Sequence, residues 1–350
     1  MRLLNHLAKD FLFLLLKIFC FLAFALLSFA QISLSQDVET ESQVAEQGER
    51  PRDYLWPPLA SFFLPGFDQW WEGQYTEAAI YSGVAIGGLS YTSWNLELYE
   101  KSNRDFIDND KEDEETVSNK DNHLRKAMFG TQTYMLMGSL SSYQSFRLAV
   151  NTQRPTGKFK FLDPQKEESL DTLLKAPFEF KFLKRSSTYV PLLIAAGLMS
   201  LQLAAYDREE FRYSNLGSDD VFFSASTSYF AGTNEEAFFR GYMLPASYQA
   251  MGDFFWSNTL TSGVFALAHY PSVQVPVAQF FLAWYFGSVT RSNNWMISEA
   301  IFIHTWWDVI IFLGMYQLEK KQSHELAMST DFTEPRKRAP LWLPPVEFRF

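Results

Sequence analysis

The chain has one cysteine, Cys20, in 350 residues. A single thiol excludes a disulfide framework and any zinc site built from cysteine pairs. Cys20 also falls in an N-terminal segment with the features of a removed leader, which argues against thiol catalysis. Basic excess is missing too. Thirty Lys and Arg stand against 40 Asp and Glu, a net charge of −10, and this argues against nucleic acid as a partner. There is no repeat of solenoid period. The strict two-residue alternation of membrane β-barrel strands is also absent.

What is abundant is aromatic and apolar. The chain carries 34 Phe, and 17% of its residues are aromatic. Its mean hydropathy of −0.14 averages long apolar runs with strongly charged stretches such as 97–127 and 150–188, which read as loops. Seven runs approach the length of a membrane-spanning helix: 76–96, 127–150, 189–206, 221–248, 254–270, 273–289 and 296–314. The expected fold is therefore all-α, a polytopic transmembrane bundle of about seven to eight helices. A soluble all-helical protein is the alternative.

The start, "MRLLNHLAKDFLFLLLKIFCFLAFALLSFAQ", has a basic opening, a Phe/Leu-rich run and the small residues Ser28 and Ala30 at cleavage-site positions, so 1–30 reads as a signal peptide or an N-terminal anchor. Residues 31–53 read as a polar linker. The segment "PPLASFFLPGFDQWWEGQY", 57–75, suits an interfacial or re-entrant piece, with Trp70 and Trp71 at headgroup depth.

Inside the apolar run at 221–248 stands "GTNEEAFFRGYMLP". A carboxylate at bilayer depth costs about 2.5–3.5 kcal/mol even on lenient insertion scales. On a helix, Glu236 and Arg240 lie about 40° apart on one face and can form an ion pair, while Glu235 points about 100° away, toward something else. Of five histidines, His269 in "VFALAHYP" and His304 in "IFIHTWWDV" occur in apolar runs. His304 and Asp308 share a helix face, whereas Glu299 lies about 180° from Asp308 and falls outside the group. The Trp306–Trp307 pair reads as packing or an interface anchor.

Together Glu, His, His and Asp can activate water by general base catalysis and stabilise an oxyanion. The same set could instead hold zinc, as in His₂Glu hydrolase sites. A proton or ion pathway is a third use of intramembrane Glu and His.

Three stretches, "EEAFFR", "FALAH" and "HTWWD", fit Glu-Glu-x-x-x-Arg, Phe-x-x-x-His and His-x-x-x-Asn/Asp in that order on successive apolar segments. In this the chain resembles the CPBP family, which groups CAAX-prenyl-type intramembrane endopeptidases with bacteriocin-processing and self-immunity (Abi) proteins. The resemblance covers about residues 221–318. It implies a catalytic set of Glu235, Glu236, Arg240, His269, His304 and Asp308. Glu235 would be the general base working with His269, Arg240 structural, Phe265 packed beside His269, and His304 with Asp308 the oxyanion or substrate site. Asp308 replaces the Asn typical of the prenyl-protease branch, and an ionised Asp there would orient His304 or bind metal, with zinc the ion such a set takes.

The implied activity is cleavage of a membrane-embedded or membrane-associated peptide or protein in the bilayer, with the bacterial cytoplasmic membrane as the expected setting. A non-proteolytic scaffold or self-immunity protein of the same fold is the alternative. The expected division is a membrane module at 54–206, a protease core at 207–318 and a tail at 319–350.

Overall fold

The computed structural model describes residues 51–109, 114–206, 216–270 and 276–328. The expected leader at 1–30, nearly all of the linker, and the end of the tail lie outside the described residues. The described residues are helical, with no strand among them.

Helix α1, Trp56–Phe63, takes proline in its first turn, where a missing N–H forfeits no bond. A turn through Gly66, at φ 91°, leads into α2, Phe67–Trp71. Trp70 and Trp71 are 59% and 68% exposed, so the segment read as interfacial does present its indoles outward. Two long helices follow, α3 (Tyr75–Asn109) and α4 (Glu114–Gln153), packed along each other. Their approach depends on glycine. A Cβ on Gly88 would lie 2.7 Å from the Gly130 carbonyl oxygen, and the Thr92 hydroxyl donates to Ala127 O at 3.1 Å beside it. The charged stretch read as a loop at 97–127 is mostly helix. Glu and Lys are good helix formers, and charge alone does not end a helix that can leave the apolar layer.

Beyond a connecting segment and the short α5, Leu170–Lys175, come α6 (Ser186–Tyr206) and α7 (Ser218–Phe238). Asp219 and Asp220 sit in the first turn of α7, where they complement the helix dipole, and Asp220 accepts the Gly217 N–H at 2.8 Å. A π-turn at Phe239–Met243 joins α7 to α8, Leu244–Met251. Left-handed Gly252 ends α8, and Asp253 caps α9 (Phe254–Ala268) by accepting the Trp256 N–H at 2.9 Å. The last two helices are α10 (Val277–Ser292) and α11 (Ser298–Met328).

The described residues of the seven apolar runs fall largely on these helices. Among the described residues, however, only α6, at Ser186–Ala204, is long and apolar enough by itself to cross a membrane. α9 and α10, of 15 and 16 residues, are short for a span, and in α4 and α7 the reason is visible in where the polar residues point. Ser139, Ser142 and Ser145 of α4 and Ser224, Ser228 and Thr233 of α7 are buried, whereas Ile86, Leu193, Leu201, Phe222 and Phe281 are exposed. An average over each helix mixes a polar inner face with an apolar outer one.

α7 is the central element, packed on α4 on one side and α11 on the other. Phe146 and Phe159 share a core with Phe238, Tyr242, Phe265 and Trp295. Leu140 and Tyr143 share another with Ala237, Ile297 and Ile301. Helices of the first half thus brace the ones that carry the paired glutamates and His304.

Candidate active site

The site begins with a close helix crossing. Asp220, Ser224, Ser228, Gly232 and Glu236 recur every four residues along α7, and all are buried. Such a row lies on one helix face. It meets α11: the Ser224 hydroxyl donates to Val309 O at 3.4 Å, and a Cβ on Gly232 would come within 2.8 Å of Thr305 N and 3.0 Å of Thr305 Cα. Small residues let the backbones approach until Glu236 and His304 touch.

The sealed half of the site is a buried triad. Arg240 donates from Nη1 to Glu236 Oε1 at 2.9 Å and from Nη2 to Ala283 O on α10 at 2.9 Å. Its guanidinium also lies 4.7 Å from the ring centroid of Phe265 and 5.4 Å from that of Phe286, so aromatic faces replace water around the charge. Arg240 sits in the π-turn, an irregularity that helices often place beside functional groups. His304 Nδ1 lies 2.8 Å from Glu236 Oε1. A carboxylate oxygen accepts, so Nδ1 carries the hydrogen and Nε2 faces the other way. The imidazole stacks on Phe286 at 5.1 Å, which fixes its plane.

The open half surrounds Glu235. Its Oε2 lies 3.9 Å from His269 Nε2 and 3.8 Å from His304 Nε2, and it has no hydrogen-bond partner among the described residues. His269 ends α9 and donates from Nδ1 to Phe265 O at 2.8 Å, which leaves Nε2 as an acceptor when the ring is neutral. Phe265 packs against it at 4.7 Å. Asp308 Oδ2 is 3.5 Å from His304 Nε2. Exposure divides the two halves: the Glu235, His269 and Asp308 side chains are 20%, 29% and 21% exposed, against 0% for Glu236 and 3% for Arg240.

All six residues singled out in the sequence are thus brought together. Glu299 lies apart, bonded to Arg185, Thr188 and Asn293. Trp306 donates its indole N–H to Pro177 O at 2.9 Å and packs on Phe180. His123, read in a loop, is on α4 near Asn95. Sequence reading missed Gly232, Thr305, Phe286 and the Ala283 carbonyl. Gly232 alone left a trace, standing four residues before Glu236 and so on its face. Among the described residues there is no group of three or more His, Cys, Asp or Glu placed to hold a metal ion.

Residues 217–310 match the family model of the Rce1-like type II CAAX prenyl endopeptidases. No curated protein and no solved structure matches the chain.

Proposed function

Residues 217–310 make this chain a member of the membrane-embedded CPBP/CAAX protease family, and on that premise we propose that it is a polytopic intramembrane endopeptidase using a water activated by Glu235. The observation that carries the mechanism is the spacing around Glu235 Oε2. At 3.8 and 3.9 Å the two histidine nitrogens are too far for direct bonds, yet one water hydrogen-bonded to Glu235 can reach them. In this reading His269 Nε2 accepts one hydrogen of that water and orients it. Glu235 takes the other as the oxygen attacks the peptide carbonyl carbon.

The tetrahedral oxyanion accepts from Nε2 of a doubly protonated His304, whose Nδ1–H is held by Glu236 and which Asp308 faces from one turn on. Collapse re-forms the carbonyl and breaks the C–N bond. The proton held by Glu235 passes to the leaving amine. Arg240 holds Glu236 in place, a structural part.

The exposed apolar side chains of α3, α6 and α10, among them Ile86, Leu201 and Phe281, support a lipid setting for several helices. The proposed substrate is a membrane-associated peptide or protein, and the proposed location is the cytoplasmic membrane of a bacterium. Residues 54–206 are proposed as a module that braces the protease core at 207–318.

The test is Glu235→Gln, which keeps the shape and removes the base. Membrane proteomes of cells with either form are compared after enrichment of protein N-termini. New N-termini confined to cells with unaltered protein are the expected result. Identical N-termini, with Glu235→Gln present at a normal level, would overturn the protease reading in favour of a scaffold or self-immunity role.

A further inference from the structure

Glu168 lies between α4 and α5, outside the matched residues, yet it is buried and reaches the start of α11. Its Oε2 accepts the Ile297 N–H at 2.5 Å, and its Oε1 accepts the Ser298 N–H at 3.2 Å together with the Ser298 hydroxyl. The first N–H groups of a helix have no partner within it, and that end carries partial positive charge. A buried carboxylate there satisfies the helix and is itself satisfied.

Two more observations connect this contact to the site. The turn that feeds α11 is strained, with Asn294 and Trp295 at φ 57° and 67°. A bulky residue holds that left-handed conformation only when its surroundings impose it. The Trp295 ring packs 4.7 Å from Phe161, which belongs to the same connecting segment as Glu168. On its other side, Glu168 is tied to the turn that carries Arg240. Its carbonyl accepts the Tyr143 hydroxyl at 2.8 Å, and the Tyr143 ring lies so close to Gly241 that a Cβ there would stand 2.5 Å from Cδ2.

We infer that Glu168 is a positioning residue. It fixes where α11 begins, and through it the depth of His304 and Asp308 relative to Glu235 and Glu236. His304 lies about 9 Å along the helix from Ser298. A shift at the cap therefore passes along a rigid element to the 2.8 Å bond between His304 Nδ1 and Glu236 Oε1. The inference rests on His304 belonging to a working site, but its effect can be read without any substrate.

The experiment labels the histidines of the full chain with ¹⁵N in lipid nanodiscs. The His304 imidazole signal is assigned through His304→Gln. In Glu168→Gln the His304 Nδ1–H proton signal moves upfield and exchanges faster with water, as its bond to Glu236 lengthens. Glu168→Asp, with the charge kept on a shorter arm, gives a smaller shift of the same sign and carries the test if Glu168→Gln does not accumulate. Ser169→Ala is the control. It removes the neighbouring cap on Thr172 N of α5 and the bond to the Thr172 hydroxyl, and leaves the His304 signal in place.

An unmoved His304 signal in both Glu168 variants would overturn the inference. So would equal movement in Ser169→Ala, because the effect would then be general loosening. If the signal moves as expected and Glu235→Gln changes no N-termini in cells, positioning stands and the protease reading alone fails.

Discussion

Glu235 and Glu299 are both drawn in from the surface beside α11, and they are treated in opposite ways. Glu299 is 2% exposed and accepts from Arg185, from the Ser187 hydroxyl at 2.5 Å, from the Thr188 hydroxyl at 2.9 Å and from the Asn293 amide at 2.7 Å. Glu235 Oε2 has no direct partner among the described residues and stands back from two imidazoles. A buried charge with every lone pair used is part of the frame. A partly buried carboxylate with an oxygen left unused carries a desolvation cost that selection for stability alone would remove. The contrast separates architecture from chemistry on one helix pair. Glu236 sits between the two, bonded on Oε1 to Arg240 and His304 while Oε2 has no partner among the described residues.

The largest effect expected from probing this contrast comes from Arg240→Ala. It strands the Glu236 carboxylate, which is 0% exposed, with His304 as its remaining contact. Breaking a buried pair from one side costs about 3–5 kcal/mol, enough to remove most of the protein from the membrane fraction. Quantitative immunoblotting of membranes checks this. Normal accumulation would mean that Glu236 is held by something other than its ion pair.

Glu299→Ala comes next. It releases three polar partners and an Arg185 side chain that is 46% exposed and can turn to water, so about 1–3 kcal/mol of stability is lost. Thermal denaturation in detergent reads the loss, while cleavage per folded molecule stays within about twofold, a change of under ~0.5 kcal/mol in the barrier. A specific loss of cleavage would place Glu299 with Glu235 and collapse the comparison.

Much of this site was legible in the sequence because helix geometry is local. Four-residue spacing placed Glu236 with Arg240 and His304 with Asp308, and it turned Glu235 away from the Glu236–Arg240 face and Glu299 away from Asp308. Which lipid-length runs are helices was equally legible. Two things were not. Whether a helix is apolar enough to span depends on which face its serines take, and α4 hides Ser139, Ser142 and Ser145 inside an average. Long-range support was the other: nothing in the residues near Glu168 announces that this side chain crosses to Ile297 and Ser298, because that contact spans 129 and 130 positions. Phe286, an aromatic wall of the site, vanishes among 34 phenylalanines for the same reason, whereas Phe265 was placed beside His269 by the family resemblance.

The smallest effect is the most telling. Glu235→Gln, which is expected to end cleavage, is expected to leave stability within about 0.5 kcal/mol of the unaltered protein. Glutamine has nearly the same shape. The carboxylate it replaces makes no hydrogen bond through Oε2, and its side chain is 20% exposed, so little is lost and a desolvation cost is relieved. Parallel melts of Glu235→Gln and Glu299→Ala in the same detergent measure both halves of the contrast at once. If Glu235→Gln melts as low as Glu299→Ala, then Glu235 is bonded as firmly as Glu299. In that case the open spacing around it does not describe the folded protein in the membrane, and the water that the mechanism requires has no place to sit.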